Sequence, residues 1–176
     1  SCHCGMAFRD VHIPADAMLG PEGDAFATFS LPMRRVEDAI SSANKAGAFR
    51  YQINRLGQEV AGMDLDKEAL AELGRLSAAR DGLSALSYRA MELLDLDPDN
   101  NAEEVEAITA AGRDWIKDLQ QRVEAFIERV GMTPSPRLAA VTRDIVKTTG
   151  IAGGAHAIRA ERRARDLLNT ETEKNL

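Results

Sequence analysis

The chain has 176 residues and a mass of 19.1 kDa, the size of one domain whose core needs no disulfide or metal staple. Hydrophobic residues make up 44% and charged residues 28%, a balance that argues against disorder. The 22 basic and 28 acidic side chains leave a net charge of -6, which argues against a nucleic-acid coat, because phosphate binding needs clustered cations.

No apolar run approaches the roughly 20 residues that span a bilayer, so no membrane partner is expected. The opening Ser1-Cys2-His3-Cys4 has neither the basic flank nor the apolar stretch of a secretory signal. Both cysteines lie there, too close together to staple the body of the chain, and a reduced, cytoplasmic setting is expected. Cys2-His3-Cys4 offers soft ligands, but three consecutive ligands wrap one tetrahedral ion poorly, and His12 and His156 stand alone. An exposed tail is expected there, with no metal site.

Residues 5–13 alternate well enough for a short strand, with Met6, Phe8, Val11 and Ile13 apolar. Pro14 ends it, and Leu19-Gly20-Pro21-Glu22-Gly23 reads as a turn. No second strand follows to pair with it. Residues 1–24 are therefore expected to form an extended arm, 25–168 a helical bundle and 169–176 a frayed tail.

The first helix is expected from about Ala25, or from Leu31 if Pro32 sits in its first turn, to Val60. Its apolar stripe reads Leu31, Ala39, Ile40, Ala43, Gly47, Ile53, Leu56 and Val60. The second is expected over 66–94, capped by Asp66, with Leu70, Leu73, Leu76, Leu83, Leu86, Ala90 and Leu94 inward. The third covers 102–130, with Val105, Ile108, Gly112, Trp115, Leu119, Val123, Phe126 and Val130 at near-heptad steps, and Gly131 stops it. A fourth starts near Pro136 and pauses at Gly150 and Gly153-Gly154, and an amphipathic piece covers 155–168. Long helices with short connections predict an all-α, antiparallel four-helix bundle.

Between the second and third helices, Asp95 to Glu106 places oxygens at several positions of a calcium loop. Asn100 stands where such a loop wants glycine, so an acidic turn is expected, with Asn101 capping the third helix. Arg159, Arg162, Arg163 and Arg165 alternate with Glu161 and Asp166, which predicts a solvated, salt-bridged face.

Phe8-Arg9-Asp10-Val11-His12-Ile13-Pro14 followed by Leu19-Gly20-Pro21-Glu22-Gly23-Asp24-Ala25-Phe26 resembles the stretch joining the β-domain to the C-terminal helical domain in flavin-dependent acyl-CoA dehydrogenases. Leu31-x-x-x-Arg35-x-x-x-Ala39 is similar to the helix that follows. Gly150-Ile151-Ala152-Gly153-Gly154 and Glu161-Arg162-Arg163-Ala164-Arg165-Asp166 are similar to the family's Gly-Gly segment and its later Glu-Arg-x-x-Arg-Asp. The resemblance covers nearly the whole chain in order and helix count. It implies the last β-strand and the C-terminal bundle of an FAD-dependent oxidoreductase acting on the CH–CH bond of an acyl-CoA.

The resemblance further implies that Arg35 pairs with a CoA phosphate, that Gly153 and Gly154 let the cofactor approach the backbone, and that bundles associate into dimers or tetramers. The competing readings are an exposed Arg35 beside Glu37 and Asp38, and a simple helix break at the two glycines. The family's Arg-x-x-Phe-Gly is replaced by Arg55-Leu56-Gly57-Gln58-Glu59, and Ala155-His156-Ala157-Ile158 stands where an aromatic follows the Gly-Gly segment. Where the family's base lies in Glu-Gly-Thr, Asp166 is followed by Leu167 to Lys174 with glutamates but no glycine, and Arg34 stands at the family's alternative position, so no catalytic residue is assigned. The other function class is a non-catalytic bundle that mediates assembly. By itself the chain is expected to carry no FAD.

Overall fold

The computed structural model describes residues 5–151 and 153–173; Cys2-His3-Cys4 lie outside them. Among the described residues the protein is all-helical, with no strand. Five α-helices follow one another: α1 (Leu31–Val60), α2 (Lys67–Leu96), α3 (Ala102–Arg129), α4 (Pro136–Gly150) and α5 (Gly153–Glu173). None of them is long and apolar enough to cross a membrane.

The expected strand over residues 5–13 does not form. The backbone there is irregular, Asp10 adopts a φ of 51° that breaks the alternation, and Met6, Phe8 and Ile13 are exposed. With no second strand there is no ladder to hold the extended form. A single 3-10 turn, Ala15–Ala17, and the turn glycines Gly20 and Gly23 lead to α1. A π-helical turn, Phe26–Ser30, precedes it, with the Leu31 amide donating to Phe26 O. Pro32 has no N–H to give the Thr28 carbonyl, so a regular α-ladder cannot run through this point.

The helix ends follow local chemistry. Asp66 Oδ1 accepts from the Ala69 amide at 2.7 Å and caps α2. At the end of α3, Gly131 takes a φ of 64°, and the amides of Gly131 and Met132 turn back to Glu128 O and Ile127 O. Ser135 caps α4 through the Leu138 amide at 3.3 Å, with Pro136 first in the helix. Glu59, at the end of α1, ties that cap down. It accepts from the Ser135 amide at 2.9 Å and from the Ser135 hydroxyl, and pairs with Arg55 at 2.7 Å. Burial pushes the Glu59 carboxyl up, but the Ser135 donors and Arg55 together outweigh it and hold it below the ordinary glutamate value.

Asn101 does not cap α3 with its side chain; its Nδ2 donates to Leu93 O at 2.9 Å and so closes the end of α2. Asp97 gathers the turn instead, accepting from the amides of Asp99 and Asn100. Of the Asp95–Glu106 stretch only residues 97–101 connect the helices, and Asp97 holds them as a self-bonded turn. The last helix starts at Gly153 and runs to Glu173, past both boundaries expected from the glycine pair and the polar tail.

The core is built by α1 to α4. Phe49, Ile53 and Leu56 of α1 meet Leu76 and Leu83 of α2, Ile116, Leu119, Val123 and Phe126 of α3, and Leu138 and Ile145 of α4. A smaller cluster of Ala39, Ala90, Leu93 and Val105 sits where α1 begins, α2 ends and α3 begins. Trp115 lies over Gly82, where a Cβ would fall 2.8 Å from the indole ring, so glycine is what lets α2 and α3 close there. Ala39, Ile53, Leu56 and Val60 of α1 and Leu76, Leu83 and Ala90 of α2 are buried as their sequence stripes expect, and the stripes depart elsewhere. Ile40 and Leu70 are exposed, while Phe49, Gln52 and Ala79 are buried.

Candidate functional site

Arg35 does not stand as an open phosphate hook, nor does it pair with Glu37 or Asp38. Its Nε lies 3.5 Å from Glu106 Oε1 and its Nη1 3.9 Å from Asp99 Oδ1, with the side chain mostly covered. The guanidinium bridges α1 to the start of α3 and to the turn before it. Gly153 and Gly154 open α5, both exposed, and a Cβ at either would meet nothing within 4 Å. Packing against the described residues therefore does not demand glycine there. The structure does not bring Arg35 and these glycines together through any hydrogen bond or ion pair among the described residues.

A different group of side chains converges nearby. Arg113, on the buried face of α3, is 9% exposed. Its Nη2 donates to Thr149 O at 2.7 Å and to Ile151 O, closing the end of α4. Its Nη1 lies 2.5 Å from His156 Nε2, and Arg159 Nη2 reaches the same nitrogen at 3.3 Å. Two guanidiniums can only donate, so Nε2 accepts and the imidazole is neutral. Arg159 Nη1 also binds Asp38 Oδ2 at 2.7 Å, and Arg34 Nε lies 3.6 Å from the same oxygen. Lys45 stands one turn from Ser41 on α1 and donates to its hydroxyl.

Burial, then the charges of Arg113 and Arg159, push His156 down from 6.5 to about 4, against the opposing pull of Asp38 and Asp114. Burial and Arg113 likewise push Lys45 below the ordinary lysine value, with Asp38 opposing. Burial lowers Arg113 as well. Because the folded His156 has the lower pKa, the unfolded chain takes up that proton first as pH falls. The contribution of neutral His156 is complete above about pH 6.5 and is lost on the way down to about pH 4. Denaturant unfolding of His156→Gln is expected to show a flatter stability profile across this window than the parent. Ring resonances of the parent that titrate near 6.5 would contradict it.

Sequence reading missed this cluster, although Arg113 between Gly112 and Ile116 on an otherwise apolar stripe was its one visible signal. The carboxylates displaced from their ordinary values, Glu59, Asp66, Glu72, Asp81 and Asp97, are all displaced downward. That is the wrong direction for a general acid or base working near neutrality. Neutral His156 is saturated at Nε2 by two guanidiniums. As arranged, the cluster can hold charge and bind.

A second concavity, about 590 Å³, lies between α3 and α4. Ile127 and Val146 line it, with Glu124 and Glu128 on the α3 side and Arg143 and Lys147 on the α4 side. It is open, and its exposed wall is mostly apolar. Compared with protein-family models, curated proteins and solved structures, the chain finds no match.

Proposed function

We propose that this chain is the helical-bundle portion of an acyl-CoA dehydrogenase-like flavoprotein, with subunit assembly as its own task. In this reading α1 to α4 form an antiparallel four-helix bundle, and residues 1–24 form an arm that joins a β-domain. One observation carries the assembly role. Phe26, Phe29, Met33, Val36 and Ile40 follow one another at alternating three- and four-residue steps, and all five are exposed, Phe26 by 71% and Met33 by 60%. That spacing is the seam of a helix that packs against another helix. Among the described residues no element covers it, and a contiguous apolar stripe of this kind marks an interaction surface. The family resemblance supplies the occupant: a second copy of the same bundle, in a dimer or tetramer.

The oxidoreductase part of the reading rests on the motifs alone. The backbone at Gly153-Gly154 is open to the approach of a flat ring or a phosphate, so it fits one wall of an FAD site. It offers one face and no enclosure, and a ligand held so loses most of the burial a pocket gives. FAD would supply hydride transfer between the acyl chain and its ring; the protein would position it. Arg35, engaged by Glu106 and Asp99, would have to exchange those carboxylates for a CoA phosphate. That engagement favours the second reading, a bundle of the same ancestry that only assembles and binds neither flavin nor acyl-CoA.

Light scattering at micromolar concentration tests the assembly role. A mass of two or four times 19.1 kDa is expected, falling to one chain in the Phe29→Glu/Val36→Glu double variant. A parent chain that is monomeric under these conditions would refute the assembly role. FAD titrated into the same sample and followed by its fluorescence separates the two readings. Tight binding lost in Gly154→Val supports the cofactor wall, and none supports assembly alone.

A further inference from the structure

Between α1, α3 and α5 lies a cavity of about 20 Å³. Asp38, Ser42, Lys45, Thr109, Arg113 and His156 are among the residues that line it. We propose that this cavity is a binding site for one small monoatomic anion of the chloride class. The inference does not rest on the acyl-CoA dehydrogenase-like reading: a monomeric, flavin-free chain would leave it standing.

Size selects the ligand first. A cavity needs roughly 10–15 Å³ of this kind of space to hold one water, so this one takes a single body of that size. Phosphate, sulfate and carboxylates are too large for it. Hydrogen bonding comes next. Arg113 is nine-tenths buried, and its Nε is the one buried side-chain polar atom among the described residues without a partner. A buried donor left unmade is costly, and a guanidinium donor more so. Nη1 has a partner in His156 and Nη2 has two in Thr149 O and Ile151 O, so Nε is the guanidinium nitrogen left without one.

Charge decides between an anion and a water. The cations facing this space are Lys45 and Arg113, with Arg159 and Arg34 behind them, and the carboxylates are Asp38 and Asp114. Asp38 is already engaged by Arg159 and Arg34. Asp114 points to solvent, 78% exposed and 3.8 Å from Lys117. Asp38 lines the same space but is shared with Arg159 and Arg34, so the repulsion between half-buried Lys45 and buried Arg113 is only partly offset. A water can accept one hydrogen bond from Nε but cannot cancel that repulsion. A halide can do both, and the hydroxyl of Ser42 supplies a further donor. Burial first, and then the charge of Arg113, lower both His156 and Lys45, with Asp38 opposing.

Thermal unfolding at neutral pH, in sodium chloride and in sodium gluconate of equal ionic strength, tests the site. An anion bound only by the native state raises Tm by mass action, by about 4 °C between roughly 5 and 500 mM chloride if Kd is about 20 mM. Bromide should do the same, and gluconate and sulfate should not. In Lys45→Met, which removes one of the two cations and keeps most of the side chain's length, the chloride dependence should vanish whatever the variant's own Tm. The chloride NMR line of the parent protein gives a second reading that needs no variant: it should broaden and sharpen again when bromide is added. Equal Tm in chloride and gluconate, or an unbroadened chloride line, would mean that the cavity holds water or nothing and would overturn the proposal.

Discussion

Phe49→Ala is expected to lower stability by about 4 kcal/mol, the range for removing a buried aromatic ring. For a chain of this length that is a fall of roughly 12 °C in Tm. Phe49 is 0% exposed and sits in the cluster where α1 meets its neighbours, with Leu56, Leu119 and Phe126 equally enclosed. Its ring can be replaced only by a cavity, because the facing side chains belong to long helices that cannot collapse independently. Phe26→Ala is the control. At 71% exposure its removal should change the unfolding of an isolated chain by less than about 0.5 kcal/mol. In an assembled protein the same change should lower Tm and make it depend less steeply on concentration, since it would strip the seam. Denaturant titrations of both variants at two protein concentrations provide the measurement. A Phe49→Ala chain within 1 °C of the parent would mean that α1 packs in a different rotation.

The phase of α1 illustrates what the sequence could and could not convey. Helix ends were legible because they are local. Asp66, Gly131 and Pro136 act on atoms within a few residues, and each stands where the structure uses it. Which face turns inward was legible only approximately. In a 30-residue helix with alanine and glycine on several sides, the expected stripe holds the buried Ala39, Ile53, Leu56 and Val60 but takes Ile40, Ala43 and Gly47 in place of the buried Ala46 and Phe49. Gln52 and Arg113 were passed over because polar side chains on a buried stripe look like errors in the stripe until their partners are known. Those partners come from 68 residues away for Gln52 and 43 for Arg113, a separation no periodicity reports. The strand over 5–13 failed for the opposite reason: its local alternation was adequate, but a strand is a paired object and nothing paired with it.

The Gln52–Gln120 pair gives the second large effect and a sharper test of the packing of α1, α3 and α4. Gln52 is 0% and Gln120 4% exposed. Each amide donates to the other's carbonyl, at 2.9 and 2.8 Å, and Gln52 Nε2 also donates to Thr142 Oγ1 of α4 at 2.8 Å. The ring of bonds is satisfied as a unit, so its members should not contribute additively. Gln52→Leu keeps the volume but strands both the donor and the acceptor of Gln120 in the core. At about 1–3 kcal/mol for each unmet buried group, a loss of roughly 3 kcal/mol is expected. Gln120→Leu is milder, about 1–2 kcal/mol, because Gln52 Nε2 keeps Thr142 and only its carbonyl is left without a donor. Replacing both removes the polar atoms together, and the double variant should be more stable than Gln52→Leu alone, within about 1 kcal/mol of the parent. A double-mutant cycle by denaturant unfolding reads the coupling directly. Simple additivity of the two single changes would show that water reaches these amides and that α1, α3 and α4 do not close on them as described. A strong coupling with the stated asymmetry would instead assign the pair the role of fixing how three helices are registered against one another, a task that the alanine-rich stripes around it are too uniform to perform.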